Sequence, residues 1–142
     1  MTIAAILKAK GTETVTIAPS ATVAEAVALL AERRIGAIPV VEGDRVVGVF
    51  SERDVIYCLA SKGAEALDRG VGEVMTAPAR TVGPEEPVLG ALSLMSRRRI
   101  RHLPVVDGER LIGFVSIGDL VKFRIDRIEE EANAMRSYIQ SA

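Results

Sequence analysis

The stretch from Gly36 to Val55, GAIPVVEGDRVVGVFSERDV, decides the fold because the chain repeats it. The second copy, RHLPVVDGERLIGFVSIGDL, runs from Arg101 to Leu120, 65 positions later. The same offset aligns the upstream segments without a gap and gives sixteen identical pairs between residues 15–55 and 80–120. A duplication of this length predicts a body with pseudo-two-fold symmetry, in which residues of both repeats line a cleft between the halves.

Each repeat has the residue pattern of a β-α-β-β-α unit, which predicts an α/β (α+β) fold with two tandem units. A short β-like piece comes first, at residues 14–17 in the first copy and 80–82 in the second. An amphipathic helix follows, with Thr22 as its expected N-cap in the first copy. Two β-branched runs around a glycine turn then predict a hairpin. A glycine inside its second strand, Gly48 or Gly113, indicates close approach of another group. A second helix opens after Ser51 or Ser116.

Three segments lie outside the repeated stretch. Residues 1–11 are expected to form a short helix that feeds the first repeat, and residues 62–72 are the expected joint between the repeats. In the tail, apolar residues step by three and four positions, which predicts either a helix packed on its own domain or a self-association helix. These tail residues are Ile125, Ile128, Ala132, Met135 and Ile139. We expect a first unit at 1–68, a second unit at 69–124 and a C-terminal helix at 125–142.

The composition excludes several classes of protein. Of the 142 residues 49% are hydrophobic, which is enough for a real core, and the net charge of −1 does not indicate a nucleic-acid or membrane-surface protein. No apolar run approaches the ~20 residues of a membrane span, and no segment resembles a secretory signal peptide. The single cysteine, Cys58, excludes an intramolecular disulfide. We therefore expect a cytoplasmic protein without a membrane or nucleic-acid partner.

Catalytic and metal chemistry have little support in these residues. With one histidine, His102, and one cysteine, the chain lacks a usual set of zinc ligands. A Ser116–His102–Asp119 triad can be written, but a serine and an aspartate one helical turn apart offer no evident position for a histidine between them. Neither G-x-x-x-x-G-K-(S/T) nor a strand-following G-x-G-x-x-G occurs. We expect no enzyme activity and no bound metal.

The repeated Ser-x-x-Asp closes a strand and opens a helix. Ser51 and Ser116 lie at helix N-termini, where backbone N–H groups favour an anion such as phosphate. Asp54 and Asp119 lie three residues on, and their carboxylates can accept both hydroxyls of a ribose cis-diol. Alternatively, the serine caps the helix and the aspartate completes a capping box. The two roles can hold together.

The chain resembles CBS-domain proteins. The pattern that carries the resemblance is h-P-V-V-(D/E)-G…G-h-h-S-x-x-D, where h is apolar, and it reads IPVVEGDRVVGVFSERD and LPVVDGERLIGFVSIGD in the two repeats. The resemblance covers both repeats, so it implies a Bateman module in which two sheets pack face to face with two clefts between them. It further implies a regulatory sensor for an adenosine-containing ligand: AMP, ADP, ATP, S-adenosylmethionine or NAD. A homodimer and a separate regulated protein are the expected partners. The alternative is an oligomerisation or interaction module that binds no ligand.

The resemblance also implies that each cleft is built from both repeats, with the Ser-x-x-Asp of one repeat facing strands of the other. The first candidate cleft consists of Phe114, Ser116, Asp119, Val15, Ile35, Gly36, Ala37 and Ile38. The second consists of Val49, Ser51, Asp54, Arg80, Ile100, Arg101, His102 and Leu103, with Arg53 as a further candidate. The apolar members are expected to sandwich a purine. Because Arg80, Arg101 and His102 are basic, we expect the second cleft to be the better site for a phosphorylated ligand.

Overall fold

The computed structural model describes residues 1–141 and confirms an α+β fold built from two similar tandem units and a C-terminal helix. Its helices are α1 (Ile3–Lys10), α2 (Val23–Arg33), α3 (Glu52–Lys62), a 3₁₀ helix (Gly63–Asp68), α4 (Val71–Val74), α5 (Val88–Arg98) and α6 (Ile117–Ser141). Its strands are β1 (Ala37–Glu42), β2 (Arg45–Ser51), β3 (His102–Asp107) and β4 (Arg110–Ser116). The predicted N-cap of α2 is also confirmed, because the Thr22 side chain accepts a hydrogen bond from the backbone N–H of Glu25.

The two hairpins join in one four-stranded sheet, in the order β1-β2-β4-β3. Each hairpin turns at a glycine with a φ of 65°, Gly43 in the first and Gly108 in the second. The hairpins meet beside these turns, where Arg45 of β2 pairs with Arg110 of β4. The molecule therefore has one sheet whose halves touch at their turn ends, rather than the two separate sheets that the resemblance implies.

The β-like pieces that open the two repeats form single parallel bridges and not strands. Ile17 bridges Val40 in the first repeat, and Val82 bridges Val105 in the second. A proline follows two residues after each bridge, and it has no N–H with which to extend the ladder. The observed unit is therefore α-β-β-α with one bridging residue before it.

Each repeat has its own hydrophobic core, and the segment that precedes one repeat completes the core of the other. The apolar face of α1, with Ile3, Ile6 and Leu7, is buried in the core of the second repeat. In the corresponding place, Val71 of α4 is buried in the core of the first repeat. The expectation that residues 1–11 feed the first repeat is therefore wrong: this helix crosses to the second.

Gly48 and Gly113 lie where these crossing segments contact the sheet. A Cβ atom at Gly113 would lie 2.5 Å from Cδ2 of Leu7. A Cβ atom at Gly48 would lie 2.6 Å from Sδ of Met75 and 2.9 Å from the carbonyl oxygen of Thr76. The prediction of close approach at both glycines is confirmed, and the approaching group belongs to the crossing segment in each case.

The second helix of the second repeat and the tail form one continuous helix, α6. Leu120 is buried and Phe123 is partly buried against the core of the second repeat. Every residue from 128 to 141 is exposed. The interpretation that the tail packs on its own domain is therefore wrong for this part of α6. Among the helices of residues 1–141, none combines the length and apolar character that a membrane crossing requires.

Candidate functional site

A cavity of about 400 Å³ opens between the two repeats. The first half of the molecule contributes the end of α1, the segment after it and the α2–β1 junction, while the second half contributes β3 and the β4–α6 junction. The lining residues are Lys10, Glu13, Thr14, Val15, Arg34, Ile35, Gly36, Ala37, His102, Phe114, Ser116 and Asp119. The volume falls within the range of small-molecule sites, about 300–1,000 Å³.

The structure brings together most of the first predicted cleft. The members that line the cavity are Val15, Ile35, Gly36, Ala37, Phe114, Ser116 and Asp119. Ile38 is the exception, since it is fully buried in the core of the first repeat. Successive side chains of a strand point to opposite faces, so Ile38 turns away from the cavity. Its side chain is therefore outside the cavity lining, and a role for Ile38 in ligand binding stays a prediction.

Asp119 lies at the junction of β4 and α6, where a capping box holds its carboxylate. The backbone N–H of Ser116 donates to Oδ2 of Asp119 at 2.8 Å, and the backbone N–H of Asp119 donates to Oγ of Ser116 at 3.1 Å. The Lys10 ammonium donates to the same Oδ2 at 2.6 Å and to the carbonyl oxygen of Phe114 at 2.7 Å. Within residues 1–141, Oδ1 of Asp119 accepts no hydrogen bond. One carboxylate oxygen is therefore available to a ligand.

The protonation states of Asp119 and His102 follow from their surroundings. Burial alone raises the pKa of Asp119, but hydrogen bonds from Lys10 and Ser116 and the positive charge of Lys10 outweigh it, so the pKa lies below its ordinary value. Burial lowers the pKa of His102, against the opposing effect of Glu52 and Asp119. At neutral pH the Asp119 carboxyl is therefore ionised and the His102 imidazole is neutral.

His102 and Phe114 form an aromatic wall of the cavity. Their rings are stacked, with centroids 5.6 Å apart and an interplanar angle of 13°. Gly36 of the first repeat lies against this wall, because a Cβ atom there would be 3.3 Å from Cε1 of His102. His102 thus lines the cavity that contains Asp119, and its predicted grouping with Asp54 is wrong.

Asp54, the counterpart of Asp119, has both carboxylate oxygens engaged. Its Oδ2 accepts from the backbone N–H of Ser51 at 2.9 Å and from the Ser51 hydroxyl at 3.1 Å. Its Oδ1 accepts from the Thr76 hydroxyl at 3.0 Å. Thr76 is fixed there because it pairs with Val49 through two backbone hydrogen bonds of 3.0 and 2.9 Å. Ser51 therefore engages Oδ2, and the crossing segment engages Oδ1 through the Thr76 hydroxyl.

The other predicted members of the second cleft have mixed surroundings. Leu103 is fully buried in the core of the second repeat, and its expected contact with a purine stays a prediction. Ile100 is partly buried against the same core. Arg80 and Arg101 are exposed. A role for Ile100 and the two arginines in ligand binding stays a prediction.

Arg53 connects the two repeats. Its guanidinium donates to the carbonyl oxygen of Arg99 at 3.1 Å, at the end of α5. Its counterpart, Gly118, has no side chain that could make the same contact. The prediction that the Asp54 cleft is the better site for a phosphorylated ligand has lost part of its basis, because His102 lies in the other cleft.

Four lining residues were not predicted: Lys10, Glu13, Thr14 and Arg34. Lys10 reaches Asp119 only because α1 crosses to the second repeat, and the sequence carries no signal for that crossing. Arg34 had a signal, since it is identical to Arg99 in the repeat alignment. Each of these arginines ends its helix in the left-handed conformation, with φ of 53° and 55°.

The residues of the hypothetical triad line one cavity without forming a triad. Within residues 1–141, no hydrogen bond joins His102 to Ser116 or to Asp119, whereas a nucleophile, base and orienting group need such bonds. The Ser116 oxygen and the Asp119 carboxylate are instead engaged in the capping box and with Lys10. Among the described residues, no group of three His, Cys, Asp or Glu side chains could hold a metal ion.

The fold and the cavity define a module of two repeated units with a site of small-molecule size between them. The family model for the CBS domain matches residues 11–61 and 71–126, one match in each repeat. The chain therefore belongs to the CBS domain family.

Curated relatives carry the same family name. CBS domain-containing protein CBSX3, mitochondrial, from Arabidopsis thaliana is 37% identical over 124 residues, which are 84% of this chain and 60% of that protein. CBS domain-containing protein YhcV from Bacillus subtilis is 35% identical over 109 residues, 77% of each chain. This chain thus spans about three fifths of the plant relative and about three quarters of the bacterial one.

Solved structures share the fold over most of the chain. A protein with CBS domains from Burkholderia ambifaria has a TM-score of 0.82 at 41% identity, covering 89% of this chain and 95% of that one. CBSX2 in complex with AMP has a TM-score of 0.72 at 27% identity, covering 82% and 90%. The CBS domain pair of protein MJ0100, in complex with 5-methylthioadenosine and S-adenosyl-L-methionine, has a TM-score of 0.76 at 26% identity, covering 87% and 98%.

Proposed function

We propose that this chain is a non-catalytic sensor that binds an adenosine-containing ligand in the cavity between its repeats. The observation that carries the proposal is the cavity of about 400 Å³, which both halves of the molecule line. The first half contributes Lys10, Arg34 and Glu13, and the second half contributes the Asp119 carboxylate and an aromatic wall. The complexes of CBSX2 with AMP and of the MJ0100 pair with adenosine derivatives support this class of ligand. AMP, ADP and ATP are the first candidates, followed by NAD and S-adenosylmethionine.

The Asp119 carboxylate is the proposed ribose contact. Its Oδ2 is held by the Ser116 N–H and by Lys10, while Oδ1 has lone pairs left for the hydroxyls of a cis-diol. Hydrogen bonds to a charged acceptor contribute about 1.5–3 kcal/mol each. Loss of this carboxylate should therefore weaken binding about 10-fold to 100-fold.

The apolar lining is the proposed purine contact. Val15, Ile35 and Ala37 of the first repeat line the cavity together with the stacked rings of His102 and Phe114. A neutral imidazole can stack on a base without the cost of desolvating a charge. This part of the cavity suits a flat heterocycle better than an aliphatic group.

Lys10 and Arg34 are the proposed contacts for a phosphate or another anionic end of the ligand. An ammonium has three donors, and Lys10 uses one on Asp119 and one on the Phe114 carbonyl oxygen. The third donor remains for a phosphate oxygen, so Lys10 can bridge Asp119 and the ligand. The corresponding position in the second cleft is Met75, which has no charge.

A ligand in this cavity would act through the relative position of the repeats. Because both repeats line the cavity, a ligand that fits one arrangement better shifts the equilibrium toward it by its difference in affinity. The output would pass to a separate regulated protein or to a second copy in a homodimer. The cytoplasmic location expected from the sequence stays a prediction, which cell fractionation tests.

One observation favours the second candidate function, an interaction module without a ligand. The Lys10 ammonium already neutralises Asp119 at 2.6 Å, so a ligand's hydroxyls must share this carboxylate with a cation of the protein. A thermal-shift panel with AMP, ADP, ATP, NAD and S-adenosylmethionine distinguishes the two functions. A sensor gains about 2.7 kcal/mol of stability at a ligand concentration 100-fold above its dissociation constant. An interaction module gains none from any of the five compounds.

The pseudo-two-fold symmetry provides a matched control for the site itself. Asp119→Ala and Asp54→Ala each remove the carboxylate of a capping box, so their effects on helix capping are comparable. Calorimetric titration of the best ligand from the panel should show a loss of about 10-fold or more in Asp119→Ala only. An equal loss in Asp54→Ala would contradict the assignment to the Asp119 cavity.

A further inference from the structure

We propose that the projecting part of α6 pairs with the same segment of a second copy of this chain as a parallel, in-register, two-stranded coiled coil. The projecting part is residues 128–141, all of them exposed. α6 packs on its own domain nearer its N-terminus, through Leu120 and Phe123. Isolated helices shorter than ~12–15 residues are marginal in water, so packing against another surface would be the main source of stability for this segment.

One face of this helix carries an apolar seam at heptad spacing. Its residues step by 3, 4, 3 and 4 positions, which puts them at alternating a and d positions. The seam consists of Ile125, Ile128, Ala132, Met135 and Ile139, and Val121 extends it toward the domain. The exposed fractions of Ile128, Met135 and Ile139 are 49%, 60% and 65%. A stripe of large apolar side chains this exposed indicates an interface.

The charges beside the seam fit a parallel second copy. In a parallel two-stranded coiled coil, a g residue of one helix faces the e residue five positions later in the other. Here Arg124 would face Glu129, and Glu131 would face Arg136. Two-fold symmetry makes each pair twice, so four pairs of opposite charge would flank the seam. The segment is thus complementary to itself, which favours a second copy over an unlike chain.

The antiparallel arrangement that buries the whole seam is disfavoured by the same charges. Aligning Val121 of one helix with Ile139 of the other brings Glu131 opposite Glu131 and Glu129 opposite Glu129. It also brings Lys122 opposite Arg136. Like charges beside a helical seam are destabilising, so orientation and register follow from the charge pattern.

Disulfide formation tests the orientation and register. Ile139→Cys in a Cys58→Ala background puts a thiol in the last layer of the seam, where only the parallel in-register pairing brings two such Cα atoms within the ~7 Å that a disulfide allows. Ser137→Cys in the same background is the matched control, two residues away on the outward face. We expect mild oxidation of dilute protein to cross-link the Ile139→Cys chain at least ~10 times faster. Equal rates, or no cross-linking at position 139, would overturn the proposal.

Charge exchange tests self-complementarity. Glu131→Arg and Arg136→Glu each replace opposite charges by like charges, and sedimentation equilibrium should show self-association weakened about 10-fold in either variant. A one-to-one mixture of the two variants, or the double variant, should restore wild-type association because opposite charges face each other again. Glu130→Arg, on the outward face, is the control and should have no effect. Unchanged association in both single variants, or a wild-type chain that stays monomeric, would refute the pairing. Circular dichroism verifies that every variant is folded.

Discussion

The two Ser-x-x-Asp junctions have the same sequence pattern and the same capping geometry, yet their carboxylates differ in availability. Both oxygens of Asp54 accept hydrogen bonds, from Ser51 and from Thr76. Asp119 is held through one oxygen, by Ser116 and by Lys10. A repeat alignment treats the two sites as equivalent, while in the structure the second oxygen of Asp54 accepts from Thr76 and the carboxylate of Asp119 lines a cavity.

The difference arises from the segments that cross between the repeats. Thr76 reaches Asp54 because its backbone forms an antiparallel bridge with Val49, just before the second repeat begins. The same position in the other crossing segment is Gly11, which ends α1 with a φ of 97° and has no side chain to offer. The position before it, Lys10, reaches Asp119 with a flexible cation. Divergence outside the most similar part of the repeat therefore decides which carboxylate has both oxygens hydrogen-bonded within residues 1–141.

The largest expected effect tests whether α1 really belongs to the second repeat. Ile3→Ala removes a fully buried side chain from that core and should lower the free energy of unfolding by about 2–5 kcal/mol. Urea denaturation measures the total loss. Hydrogen exchange should show it in β3 and β4 before β1 and β2. Lys8→Ala, exposed on the same helix, should change stability by less than about 0.5 kcal/mol. An equal loss of protection in both hairpins would show that α1 does not stabilise the second repeat specifically.

An intermediate effect is expected at the two glycines beneath the crossing segments. Gly48→Ala and Gly113→Ala should each cost about 1–3 kcal/mol through overpacking. We expect Gly48→Ala to cost more, because its new methyl group meets a backbone oxygen at 2.9 Å, whereas the methyl group at Gly113 meets the ends of the Leu7 side chain. Paired urea titrations measure the difference. A larger cost at Gly113 would show that the α1 crossing is the more rigid of the two.

The smallest expected effect concerns the Lys10–Asp119 ion pair. Lys10→Met copies the residue found at the matching position of the other segment, and it should raise the pKa of Asp119 toward its ordinary value of 3.8. Because the pair is partly exposed, its loss should lower the free energy of unfolding by less than about 1 kcal/mol at neutral pH.

The pH dependence identifies the group responsible. A lowered folded-state pKa stabilises the protein fully above the ordinary pKa, and this contribution disappears as pH falls through the folded-state value. The difference between the wild type and Lys10→Met should therefore be constant near pH 7 and vanish below the lowered pKa of Asp119. Lys8→Met is the control. A difference that persists unchanged in strong acid would exclude this carboxyl as its source.

Much of the fold was predictable because it depends on local patterns. The glycine turns at Gly43 and Gly108 and the capping serines determine where strands end and helices begin, and these rules act within a few residues. The positions of Gly48 and Gly113 indicated that another segment would approach the strands. The identity of that segment was not predictable, since it depends on contacts between residues far apart in the chain.

The candidate site was predicted in part for the same reason. Its Ser116 and Asp119 belong to a local motif, and the repeat implied a partner surface on the other half. His102 was assigned to the wrong cleft, because two adjacent residues at the start of a strand face opposite sides and the sequence does not say which side meets which repeat. Lys10 was missed because only the crossing of α1 brings it to Asp119 at 2.6 Å.

Four features can be read from residue order alone: the duplication, the two α+β units, the paired Ser-x-x-Asp junctions and the heptad spacing of the tail. These are properties of residue order, and short-range sterics and hydrogen bonding convert them into local structure. Tertiary packing sets the exchange of α1 and α4 between the repeats, the Asp119 oxygen that accepts no hydrogen bond within residues 1–141, and the projection of the tail from the domain. Such features depend on which apolar surfaces find each other across the molecule, and this is decided by packing of the whole chain.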